Sequence, residues 1–180
     1  MKRLLKATII VLSIAYPFMI YWGLQYYQAS NLLLLLLILL ALRWLASSKK
    51  FESIILVAIM IIVVTIAFTW GHQLGLKFYP AMVNLGFLIL FGSSLVFPPS
   101  MVERLARIQD PNLSPEGVAY TRKVTWIWSI FFVLNGSIAA ATAVWASNEV
   151  WTLYNGLIAY LLIGTLACGE RVVRHWVIRD

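Results

Sequence analysis

Three asparagines, Asn84, Asn135 and Asn155, stand inside stretches that otherwise carry almost nothing but hydrocarbon, with Ser94, Thr142 and Thr165 as neighbouring hydroxyls. A carboxamide both donates and accepts, so such residues either bond across a helix interface or line a polar path. As interhelical bridges each contributes about 0.6 kcal/mol. The path reading requires them to face one common space. A second group is ionic: Glu103, Arg104, Arg107, Arg122 and Lys123 share one connection, and Glu170 follows the last apolar run. Together they would make a patch suited to phosphate headgroups, although the same cations also serve membrane topology.

Other chemistry is missing. The sequence has no glycine-rich phosphate cradle, no His-Glu-x-x-His and no Cys-x-x-Cys. His72 and His175 are expected on opposite sides of a membrane and cannot share a metal, so neither a metal nor a cofactor is expected. No Asp or Glu falls well inside an apolar run, where coupled transport usually places a carboxylate. No acid, base or nucleophile constellation marks a catalytic residue.

The elements that must hold these residues follow from composition. Apolar residues make up 62% of the 180, against about 45 to 50% in soluble domains, and mean hydropathy is +0.86. Six apolar runs, at residues 7–24, 31–46, 54–70, 79–97, 124–147 and 151–168, come near the roughly 20 residues that cross a hydrocarbon layer as a helix. The expected fold is therefore an all-α integral membrane protein of six transmembrane helices, one domain over 1–180. The first run is too long for a signal-peptide core and contains Pro17, which should kink it. Residues 71–77 read as a glycine-punctuated loop, and 98–123 as the main cytoplasmic connection.

Charge orients the chain. Of its fourteen Lys and Arg residues, thirteen fall with the two termini and the even-numbered connections, and only Lys77 falls opposite. By the positive-inside rule both termini are cytoplasmic. Aromatic residues gather at both interfaces, Tyr26, Tyr27, Trp70 and Trp145 among them on the outer side. The +7 charge therefore points to topology and anionic lipid, and nucleic acid is not expected as a partner. The lone Cys168 permits no internal disulfide.

The last two runs form a hairpin with small residues on one side of each: Gly136, Ala139, Ala140, Ala143 and Ala146, then Gly156, Ala159, Gly164 and Ala167. These smooth sides are expected to face each other. Counted from the turn, Asn135 lies about 18 Å down its helix and Asn155 about 6 Å down, which places Asn155 level with Thr142 and Asn135 level with Gly164 and Thr165. In the connection, Ser100-x-x-Glu103 has the form of a capping box, and Met101, Leu105 and Ile108 share a side, so a short amphipathic interfacial helix is expected between spans 4 and 5. Tyr16-Pro17-x-Met19 and Tyr79-Pro80-x-Met82 repeat one word, each followed by a glycine, in the two halves of a possible inverted repeat.

The stretch Trp128, Phe131, Phe132 and Gly136, followed by Trp145 and Trp151, resembles the intracellular septation protein A family of bacterial inner-membrane proteins. Lys77-Phe-Tyr-Pro80, Pro98-Pro99, Val102-Glu103-Arg104, Tyr120-Thr-Arg-Lys123 and Gly169-Glu170 look more like a related group encoded beside genes for acyl-chain or aryl-polyene lipid synthesis. The resemblance implies an inner-membrane location and a cell-envelope role and brings no catalytic residue. The expectation is a non-enzymatic protein that supports septation or lipid-linked assembly by contacting membrane lipids or membrane-protein partners. The alternative is a lipid or small-molecule translocator with a path lined by the three asparagines.

Overall fold

The computed structural model describes residues 15–47 and 50–177. Lys2, Arg3, Lys6, the first half of the first apolar run, Lys49, Arg179 and the side chain of His175 lie outside what is described. The chain is all-helical, with no strand among the described residues. In order come α1 (15–26), α2 (Ala29–Ala46), α3 (Lys50–Trp70), α4 (His72–Val96), α5 (Met101–Ala106), α6 (Pro115–Trp145) and α7 (Asn148–Leu153). A π-helical turn (Tyr154–Ile158) then leads into α8 (Ala159–Val177). Among the described residues four helical stretches are long and apolar enough to cross a membrane, namely α3, α4, α6 and the continuous run Asn148–Arg174; α2 is a shorter apolar helix.

α4 is the hub, packed most extensively on α6, then on α3 and α2. The loop expected at 71–77 is instead helical from His72 onward. Gly71 alone makes the reversal between α3 and α4, at φ 104°, a left-handed value that glycine adopts without a Cβ clash. Gly75, the second glycine of that expected loop, is a packing residue: a Cβ there would stand 2.7 Å from the Ala67 Cβ and 3.0 Å from the Val63 carbonyl oxygen on α3. Close backbone approach of this kind replaces the hydrophobic drive that lipid cannot supply.

Pro80 lies inside α4. A mid-helix proline has no N–H, so the carbonyl four residues earlier, that of Leu76, loses its backbone donor. Tyr16 of α1 supplies one, its hydroxyl donating to the Leu76 oxygen at 3.0 Å. Its ring also meets Tyr79 edge-on with centroids 4.7 Å apart. The two Tyr-Pro words thus touch through their tyrosines. The carbonyl that Pro17 would release belongs to residue 13, outside the described residues.

The hairpin departs from expectation. The small side of α6 faces α4, with Ala139 and Ala143 buried and a Cβ on Gly136 placed 3.0 Å from the Asn84 Cβ. α6 meets α7 and the π turn, but α8 diverges from it beyond them. Gly164 has nothing within 4 Å of where its Cβ would be, and Ala167 is exposed. The reason lies in α4: Asn84 and Ala81 give it a surface small enough and polar enough to take the face of α6 that small residues make available, while Gly86 faces Ile55 and Ile59 of α3.

Candidate functional site

The amides settle against one another. Asn135 Nδ2 donates to Asn84 Oδ1 at 3.0 Å, Asn84 Nδ2 donates to the Pro80 carbonyl at 2.9 Å, and the Tyr154 hydroxyl donates to Asn135 Oδ1 at 2.8 Å. Asn135 therefore bridges α6 to α4 and to the π turn, rather than meeting Gly164 and Thr165. Thr165 is exposed and bonds its own helix at the Leu161 carbonyl, 2.8 Å away. Asn155 Nδ2 donates to Thr142 Oγ1 at 3.2 Å, the level counted from the turn, and to the Trp151 carbonyl at 2.9 Å. A π turn shifts the helix face locally, and here it lets the adjacent Tyr154 and Asn155 both reach α6. Asn84 and Asn135 thus bond each other directly, and Asn155 bonds α6 separately, through Thr142.

At the same end as the hairpin turn sits a polar contact that composition did not reveal. Lys77 is 6% exposed and Trp151 1%. Lys77 Nζ donates to the Ala146 carbonyl at 3.3 Å and stands 5.9 Å from the Trp151 ring centroid, while Trp151 Nε1 donates to the Lys77 carbonyl at 3.0 Å. The one cation read as falling opposite the others is held inside by the start of α7. Gln73 and Asn148 add a side-chain bond of 3.1 Å at this end.

At the opposite end α5 is seated by hydroxyls from both neighbours. Met101 N–H donates to Ser94 Oγ at 2.8 Å and Val102 N–H to Thr125 Oγ1 at 3.2 Å, satisfying donors that a helix start leaves open. Ser94 thus caps α5. The returning half of the capping box also forms, with Ser100 N–H donating to Glu103 Oε2 at 3.3 Å; the buried Ser100 hydroxyl has no partner among the described residues.

Half of the expected ionic patch, Glu103, Arg104 and Arg107, is held in bonds that shape the connection. Arg104 Nε and an Nη donate to the carbonyls of Pro99 (2.7 Å) and Phe97 (3.1 Å), closing the end of α4. Arg107 pairs with the buried Glu103 at 2.9 Å and donates to the Pro111 carbonyl at 3.0 Å. Arg122 and Lys123 are exposed on the first turns of α6, and Glu170 stands apart on α8.

Between α4, α5, α6 and α8 lies a cavity of about 490 Å³, within the 300–1,000 Å³ typical of small-molecule sites. One wall is aromatic: Phe87, Phe91, Trp128 and Phe132, with Phe87 and Phe132 stacked at 5.2 Å and Phe91 edge-on to Phe132 at 5.2 Å. The apolar side of α5, Val102, Leu105 and Ala106, forms the roof. α8 contributes Ile163 to the wall and Glu170 and Arg174 to the rim. Tyr120 ties α6 to α8 at that rim, its hydroxyl donating to the Glu170 carbonyl at 3.3 Å. Sequence reading reached Glu170 but missed the cavity, because α8 diverges from α6 instead of lying along it. Comparisons with protein-family models, with curated proteins and with solved structures find no match to the chain.

Proposed function

We propose that this chain is a non-enzymatic multi-pass protein of the bacterial inner membrane, with six spans and both termini cytoplasmic, that supports envelope biogenesis by contacting membrane lipid. The cation asymmetry of the sequence supports the orientation, and the likeness to the intracellular septation protein A family supports the envelope role. The observation that carries the reading is the contrast between the two polar regions. Buried Asn84, Asn135 and Asn155 bond one another's helices, which suits a scaffold, while an aromatic cavity with an ionic rim remains open at the α5 end.

Deletion of the gene, read out by envelope lipid composition and cell shape, tests the role. A changed lipid profile or septation defect, restored by the wild-type chain and equally by Asn155→Leu, supports a lipid-contact scaffold. Loss of restoration by a folded Asn155→Leu variant would favour the translocator instead. Reporter fusions at Arg107 and at the C terminus are expected to read as cytoplasmic; a periplasmic reading overturns the orientation.

A further inference from the structure

The cavity at the α5 end differs from an annular lipid surface in being roofed and in having a charged rim of both signs. Its floor and walls are hydrocarbon and aromatic ring, so a polar solute gains nothing there, whereas each methylene seated out of water or headgroup is favourable by the ordinary hydrophobic term. The roof helix presents Leu105, half exposed, beside exposed Phe97 and Ile108. Through Leu105, which lines the cavity and is half exposed, the apolar lining reaches the outer surface. An occupant that enters this way comes from the membrane.

The rim says which headgroup fits. Glu170 and Arg174 are four residues apart on α8, about 6 Å along the helix axis, and both line the cavity. Arg174 offers a planar fork of donors that matches a phosphate. Glu170 offers a carboxylate that accepts N–H bonds, and the Tyr120 hydroxyl holds its backbone in place. Gln109 adds an amide at the same rim. A phosphate alone would satisfy Arg174 and be repelled by Glu170. A headgroup carrying a phosphate and a primary ammonium satisfies both.

We propose that the cavity is a specific site for an aminophospholipid, with one acyl chain lying along Phe91, Trp128 and Phe132, the phosphate on Arg174 and the ammonium on Glu170. This rests on the reading of the chain as a lipid-contacting membrane protein and narrows it to one headgroup class. A phosphoglycerol headgroup lacks the ammonium, and a phosphocholine headgroup lacks N–H donors for the carboxylate.

The test uses the full chain in nanodiscs containing trace phosphatidylethanolamine, phosphatidylglycerol or phosphatidylcholine with a photoreactive diazirine in the acyl chain, followed by peptide mapping of adducts. The ethanolamine lipid is expected to label the segments around Phe91 and Trp128 several-fold more than the other two. Glu170→Gln should remove that preference by lowering ethanolamine-lipid labelling to the level of the others, and Arg174→Gln should lower cavity labelling by all three. Ala106→Trp fills the roof and should abolish cavity adducts while leaving labelling of outward-facing Ile130 and Val133 unchanged. Ile163→Trp, from the opposite wall, replaces it if Ala106→Trp does not fold. Equal cavity labelling by all three lipids, preference retained in Glu170→Gln, or adducts only on outward-facing positions would overturn the proposal. These results are read on isolated protein, so a normal envelope in the deletion strain would count against the cellular role without touching the site, and the reverse also holds.

Discussion

The Tyr16 hydroxyl fills the one carbonyl that Pro80 strips of its helical partner, donating to the Leu76 oxygen at 3.0 Å. A proline inside a membrane helix is tolerated where a neighbour re-satisfies the freed backbone group, and the neighbour here comes from another helix sixty residues away. The bond also locks α1 onto the hub of the fold. Tyr16→Phe keeps the ring edge against Tyr79 and removes only the donor, leaving a buried acceptor unsatisfied at about 1–3 kcal/mol. Pro80→Ala restores an N–H within α4, so the same Tyr16→Phe change should cost much less in that background. A double-mutant cycle in unfolding titrations checks this coupling; additive effects would show that the hydroxyl does not serve the kink.

Asn84 and Asn135 should behave as a coupled pair. Asn135→Leu removes the bond to Asn84 Oδ1 and strands the Tyr154 hydroxyl. Membrane double-mutant cycles average about 0.6 kcal/mol with a maximum near 1.7, and a residue bonded on two sides belongs toward the upper part of that range. The double variant Asn84→Leu, Asn135→Leu should be less damaging than the sum of the singles. Thermal unfolding in detergent measures it.

Gly75 carries the crossing of α3 and α4. Its Cβ would meet Val63 backbone oxygen at 3.0 Å and Ala67 Cα at 3.1 Å, neither of which can rotate away. Gly75→Ala is expected to destabilise by about 1–3 kcal/mol, as overpacking does. Gly92→Ala, with nothing within 4 Å of its Cβ, should be tolerated. Comparing the unfolding midpoints of the two glycine variants decides whether close approach matters at Gly75.

What could be read beforehand follows from which signals are local. Hydrophobic length marks α3 and the body of α6, but α6 begins at Pro115, inside the connection expected at 98–123, because polar residues continue the helix from a local cap where Ser114 Oγ accepts from Gly117 N–H at 3.1 Å. The Asn155 and Thr142 pairing is legible too, since a tight turn fixes the level of residues close to it. Register farther from the turn is lost, because the π turn and the divergence of α8 break the straight-hairpin count that put Asn135 beside Thr165. The glycines at 71 and 75 look alike in sequence, yet one turns the chain and one packs it. Which helix a small-residue face chooses is a tertiary matter, so the α4 and α6 pairing and the cavity beside it had no local signature. Trp128 and Phe132 prove to be cavity wall, whereas Trp145 is 84% exposed.

The seating of α5 depends on two hydroxyls. Ser94→Ala and Thr125→Val each remove an acceptor from a backbone N–H at the start of that helix, a loss comparable with removing an N-cap, about 1 kcal/mol. Thr125→Val keeps the side-chain shape and should leave α6 intact. Hydrogen exchange at Met101 and Val102 should accelerate in both variants and most in the pair. Unchanged protection would mean that Arg104, through Pro99 and Phe97, holds the helix unaided.

Lys77 and Trp151 make a sharper contrast, because burying a charge is costly while the carbonyl beside it still needs a donor. The Lys77 ammonium bonds the Ala146 carbonyl at 3.3 Å, stands over the Trp151 ring and interacts with the Glu149 carboxylate, contacts that offset part of the cost of taking the charge out of solvent. Lys77→Met is therefore expected to change stability by no more than about 1 kcal/mol in either direction. Trp151→Phe leaves the ring volume largely in place but withdraws the donor from the Lys77 carbonyl at 3.0 Å, and should cost about 1–3 kcal/mol. Orientation should survive Lys77→Met, since removing the sole cation of its side only increases the charge asymmetry. Unfolding measurements on both variants, with C-terminal reporter fusions, separate the two roles. A large loss in Lys77→Met with little change in Trp151→Phe would show that the ammonium, and not the indole, ties α4 to α7.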